Sequence, residues 1–152
     1  MNLTLRICFA FVVISTLSAE GNLLRSEEWS QWRGPLRTGE STSTITWPES
    51  IGESHLTKLW EATLAEGYSS PVVAGEMLVT FATRDEKSEV VRTFDLKTGD
   101  AGWDATWEGA MKVPFFAAKN GSWVRSTPAV SDGAVFVGGI RDVLVKLDAA
   151  TG

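Results

Sequence analysis

Ser126-Thr127-Pro128-Ala129-Val130, leading on to Asp148-Ala149-Ala150-Thr151-Gly152, restates an earlier stretch of the same chain: Ser69-Ser70-Pro71-Val72-Val73, leading on to Asp95-Leu96-Lys97-Thr98-Gly99. Each copy reads as a proline-started strand, a turn, an apolar strand, a second turn, another apolar strand and a closing Asp-x-x-Thr-Gly turn. Proline opens a strand where its missing N–H costs least. The pattern predicts an all-β chain of repeated four-stranded antiparallel units, about two of them. The prolines lie 57 positions apart (71 to 128) and the aspartates 53 (95 to 148), so the first copy carries four extra residues between its motifs. They fall in the charged run Arg84-Asp85-Glu86-Lys87-Ser88-Glu89, which reads as a solvated hairpin loop, a place where insertions are tolerated.

Working outward from the repeats, residues 56–64 alternate as a half-buried strand does, with Leu59, Glu61 and Thr63 against Trp60, Ala62 and Leu64. This stretch is expected to be the first strand of the first copy. Residues 77–82 and 90–96 supply its later strands, and residues 128–131, 134–138 and 143–147 those of the second copy. Between Trp103 and Ser126 the chain is much longer than between Trp60 and Ser69. The extra stretch holds Trp107, Phe115, Phe116 and Trp123 and is the expected site of any functional elaboration.

Upstream, residues 22–55 are rich in Ser, Thr, Gly and Glu, with Trp29, Trp32 and Trp47 as apolar anchors that would pin this irregular lead-in onto the repeats. Gln31-Trp32-Arg33-Gly34-Pro35 reads as a turn. Residues 1–21 have the form of a secretory signal peptide: Arg6, an apolar run over 7–17, then Ser18, Ala19 and Gly21, with cleavage after Ala19 or Gly21. The run is shorter than the roughly 20 residues of a permanent membrane helix, so no stable span is expected after cleavage. Cys8 lies inside the removed segment and lacks a lipoprotein cleavage context. The exported chain would then hold no cysteine, leaving no disulfide, thiolate metal site or cysteine nucleophile. A net charge of -5 over 152 residues, without a basic stripe, argues against nucleic acid as a partner.

Asp95-x-x-Thr98-Gly99-x-x-x-Trp103 has a physical logic. The carboxylate accepts from turn N–H groups, the glycine supplies the positive φ of a tight turn, and the indole lands on the next strand. At these residues the chain resembles the quinoprotein-type (PQQ-like) β-propeller repeat family, whose blades carry a tryptophan-docking motif. Asp148, Thr151 and Gly152 repeat the turn, although Gly152 is reached before a second tryptophan. The resemblance covers residues 56–152, and residues 31–35 look like the lead-in of secreted bacterial members. It implies an incomplete propeller, since propellers close with four to eight blades. The missing blades would come from a longer chain or from a protein partner covering the open edges.

Chemistry is thinner than architecture. The resemblance brings to mind pyrroloquinoline quinone, but as it implies, such enzymes need a full ring, calcium ligands and usually an adjacent cysteine pair. No cofactor is therefore expected for this chain alone, and no metal site. His55, the sole histidine, lies in the polar lead-in with no nucleophile elbow near it and reads as a surface residue. Trp107, Phe115, Phe116 and Trp123 are the candidate binding residues, suited if exposed to a peptide or glycan; the alternative is that they pack the long connection onto the sheets. The expected function is an exported, non-enzymatic repeat protein, periplasmic or secreted, acting as a protein-binding or assembly scaffold. The alternatives are part of a quinone-dependent oxidoreductase and a carbohydrate-binding module, so enzymatic activity stays open with the balance against it.

Overall fold

A computed structural model describes residues 28–41, 46, 48–109, 111, 113–116 and 121–152. The leader with Arg6, Cys8 and its cleavage point, and Trp47, lie outside the described residues. The described part is all-β apart from a one-turn 3-10 helix at Glu53–His55 and 3-10 backbone at Phe115 and Phe116.

Four strands form a first antiparallel sheet in simple sequence order: β1 (Val72–Ala74), β2 (Met77–Arg84), β3 (Ser88–Asp95) and β4 (Ala101–Glu108). A second sheet follows with β5 (Ala129–Ser131), β6 (Ala134–Gly138) and β7 (Leu144–Asp148). The hairpin patterns repeat: Val72 faces Val79 across β1 and β2, and Ala129 faces Phe136 across β5 and β6. These are two propeller-type blades, the second with three strands among the described residues.

Three expectations need correction. The Asp-x-x-Thr-Gly turn does not close a unit; it is the β3–β4 hairpin, where the Asp95 N–H donates to the Asp100 carbonyl at 2.9 Å and the chain reverses. The fourth strand of the first sheet is therefore Ala101–Glu108, not residues 56–64. A strand tethered to β3 by a five-residue turn meets that edge at far smaller entropic cost than one 24 residues upstream. Residues 56–64 belong to no strand. The charged run is also not all loop: only Asp85, Glu86 and Lys87 lie outside the strands, and Glu89 is 1% exposed.

The core lies between the two sheets. Val72, Val79, Phe81 and Val91 of the first blade meet Val135 and Val137 of the second, with Val124 of the connection between them. Strand β4 alternates, and its inward Trp103 and Trp107 pack on this cluster beside Val145, Leu147 and Ala149. The lead-in is fastened at the inner edge. Trp29 and Val73 exchange two backbone hydrogen bonds of 3.0 Å, and the Val130 N–H donates to Ser30 at 2.8 Å, so two residues clasp both blades. Trp32, by contrast, is exposed, with the Arg33 guanidinium 5.6 Å from its ring.

Candidate functional site

A meander sorts its connections by end. One end of the blades carries the β1–β2, β3–β4 and β5–β6 turns; the other carries the β2–β3 and β6–β7 loops and the long connection from Gly109 to Pro128.

At the turn end the two motifs build the same object twice. The Asp95 carboxylate accepts from the N–H groups of Thr98 (2.8 Å) and Lys97 (2.9 Å). Asp148 accepts from the Thr151 hydroxyl (3.0 Å) and from the N–H groups of Ala150 and Thr151 (both 2.9 Å). Hydrogen bonds to the ionised form hold both carboxyls below the ordinary carboxylate value: for Asp95 chiefly the Thr98 N–H and then that of Lys97, for Asp148 chiefly the Thr151 hydroxyl. Gly99 and Gly152 sit at φ 76° and 78°, where a side chain would be strained. Each lies under an indole. A Cβ on Gly99 would come within 2.6 Å of Trp60, and one on Gly152 within 2.7 Å of Trp103. The Trp60 indole N–H donates to the Leu96 carbonyl and that of Trp103 to Ala149, both at 3.0 Å. Trp103 thus docks on the turn of the following blade, and Trp60 stands in the same relation to the first blade. A crevice of about 350 Å³ runs along this seam, lined by Met77, Phe94, Trp103 and Ala149 among others.

The loop end is built differently. Glu89, at the start of β3, is the largest fully buried side chain among the described residues. Its Oε2 accepts from the Trp107 indole N–H at 2.8 Å and its Oε1 from the Ile140 backbone N–H at 2.6 Å. One side chain thereby joins β3, β4 and the β6–β7 loop of the next blade. Gly109 and Gly139 leave the room: a Cβ on Gly109 would lie 2.6 Å from the Glu89 carboxyl carbon, and one on Gly139 would collide with its oxygens. The sequence reading missed Glu89 because it stands in a hydrophilic run. The paired glycines Gly138-Gly139 were the available signal, since glycine at a strand end can mark the close approach of another group.

The four candidate binding residues separate. Trp107 is held by Glu89 and stacks on Phe81 at 5.8 Å. Trp123 is half-buried, folded over Gly121 and tilted against Tyr68 at 5.8 Å, while the Arg125 guanidinium lies 5.5 Å from the Tyr68 ring. Phe115 and Phe116 stand out at 91% and 77% exposure, edge to face at 5.7 Å. His55 is exposed and accepts the Gly52 N–H at 3.1 Å through Nδ1. Among the described residues no three or more His, Cys, Asp or Glu side chains are placed to hold a metal ion, and no helix is long and apolar enough to cross a membrane.

Residues 86–152 match the model of a family described as outer membrane protein assembly factor BamB. These residues form a PQQ-like repeat. The match runs from the β2–β3 loop through β7, so the PQQ-like repeat includes Glu89, Trp103, Trp107 and the second turn motif. No curated protein matches the chain.

Proposed function

We propose that this chain is exported and works as a non-enzymatic, protein-binding scaffold, with the loop end of its blades as the working surface. The observation that carries the reading is the contrast within the long connection. Trp107 and Trp123 are spent on packing, whereas Phe115 and Phe116 project two adjoining rings into solvent from a folded support. Exposed aromatic pairs are costly to hydrate and are characteristic anchors of protein interfaces. The description of the matching family, an outer membrane protein assembly factor, supports carrying the reading toward a protein partner in the cell envelope. The leader-like residues 1–21 support export to the periplasm or beyond.

Photo-crosslinking in cells tests it. A photoreactive residue at position 115 or 116 is expected to give a discrete protein adduct, while the same residue at Ser131 or Asp132, on the turn end, gives none. The adduct should disappear in a Phe115→Ala/Phe116→Ala background measured from a neighbouring position, with thermal stability unchanged within about 0.5 kcal/mol as for exposed side chains. Equal labelling from both ends, or none from either, would refute the reading.

A further inference from the structure

Gln31-Trp32-Arg33-Gly34-Pro35 opens a loop that holds itself together. Its backbone closes in three steps: the Gly34 N–H donates to the Gln31 carbonyl and the Arg37 N–H to the Gly34 carbonyl, both at 3.0 Å, and the Gly39 N–H to the Arg33 carbonyl at 2.9 Å. Side chains complete the bracing. The Gln31 amide donates to the Pro35 carbonyl at 2.9 Å and accepts from Arg37 Nε at 3.0 Å, while the Arg33 guanidinium donates to the Thr38 carbonyl at 2.8 Å. Gly34 seats the loop on Trp29, where a Cβ would lie 2.9 Å from the ring. Trp29 pairs antiparallel with Val73, so the chain leaving it runs toward the loop end, from which β1 starts. These contacts lie within residues 29–39 and Val73 and are independent of what the chain does elsewhere.

Bracing does not account for everything the loop carries. Arg33 and Arg37 stand at φ 64° and 58°, a conformation costly for a bulky residue, and backbone strain of this kind gathers at binding sites. Trp32 and Leu36 alternate with them and are 61% and 70% exposed. Arg37 braces the loop through Nε, and among the described residues its two terminal NH₂ groups have no hydrogen-bond partner. The ion pairs among the described residues are Lys58–Glu61, Arg84–Asp104 and Lys97–Glu76, so neither arginine meets a carboxylate, Glu28 and Glu40 included.

We infer that residues 31–39 form a receptor for a carboxylate flanked by apolar side chains, as in an acidic-apolar segment of a partner protein. A planar guanidinium fork matches a carboxylate with paired hydrogen bonds. Trp32 and Leu36 offer apolar surface to the residues on either side of the acid. A polyanion such as nucleic acid fits worse, because a net charge of -5 repels it and two arginines neutralise few phosphates. The loop takes its shape from its own bonds, so the recognition groups are held in place before any ligand arrives. The receptor rests on the scaffold reading for the end of the molecule it uses, but its residues are not those of the Phe115–Phe116 pair.

The test uses the full chain and labelled peptides followed by fluorescence anisotropy. A peptide carrying Phe-Glu-Leu is expected to bind about tenfold more tightly than its Phe-Gln-Leu counterpart, the effect of one charge-assisted hydrogen-bonded pair. The preference should fade at high salt. Arg37→Gln should abolish it and Arg37→Lys should keep part of it, whereas Leu36→Ser, which touches no brace, should weaken both peptides alike. Phe115→Ala/Phe116→Ala should leave the preference unchanged, which separates failure of the receptor from failure of the scaffold reading. Equal binding of the two peptides, binding of neither, or an undiminished preference in Arg37→Gln would overturn the inference. So would native protein in which phenylglyoxal cannot modify Arg37, since the fork would then be covered by the chain itself.

Discussion

The two ends of the blades are made by opposite strategies. At the turn end the same parts recur in the same places: an aspartate collecting turn N–H groups, a glycine at positive φ, an indole over it and a bond to the carbonyl one residue past the aspartate. At the loop end only the strand entries Ser69-Ser70-Pro71 and Ser126-Thr127-Pro128 recur, and the loops differ. The first blade has a charged three-residue loop and a buried glutamate, the second a Gly-Gly turn that makes room for it, and between them runs a connection bearing two exposed phenylalanines. Blades can stack at a constant angle only if one set of contacts is constant. Once the turn end fixes that geometry, the loop end is free to differ, and recognition is found on such variable loops over a rigid support.

Breaking the constant end should cost most. Trp103→Ala removes a large half-buried side chain from the shared core and leaves the Ala149 carbonyl without its donor, so a loss of about 3 kcal/mol is expected in a denaturant titration. A change below about 1 kcal/mol would mean that the indole seat does not hold the blades together.

The loop end has its own tie, and Glu89→Gln measures it. An amide must turn its NH₂ toward either the Trp107 indole N–H or the Ile140 N–H, setting donor against donor in a buried site. The expected loss is about 2 kcal/mol, together with a change in Trp107 fluorescence that Trp103 variants do not reproduce. Unaltered stability would show that Glu89 fills space and does not link the blades.

The smallest effect tests how the two turns compare with each other. Both Asp95 and Asp148 have folded-state values depressed below the ordinary 3.8, so the stability they contribute is fully present above that value. It is lost as pH falls from there through each folded value. Melting temperatures should drop below about pH 4 in the parent protein, and the Asp95→Asn/Asp148→Asn variant should show a flatter slope there. An identical slope would assign the acid sensitivity to other carboxylates.

Much of the fold was legible because it is repetitive. Pro71 and Pro128, Gly99 and Gly152 punctuate the chain where backbone geometry permits few residues, and the apolar runs between them could only be strands. The docking turn was legible in composition and misplaced in topology. Nothing in Asp95 to Trp103 says that the indole belongs to the turn of the following blade and not its own. Residues 56–64 were readable as strand-like, but a period of two reports a face and never a partner. The candidate site was half legible. Aromatic content located the long connection, yet Trp107, Trp123, Phe115 and Phe116 look equally apolar on paper.

The sequence by itself determined the repeat, the turn positions and the apolar strands between them, but not which segment completes each sheet, because only the former follow from local backbone preferences and from alternation within a few residues. Only the tertiary structure decided which indole seats on which glycine, that Glu89 is buried between two glycines, and which aromatics remain for a partner. Those outcomes depend on what residues some 20 to 50 positions away place alongside, and burial is a property of that neighbourhood, not of the residue.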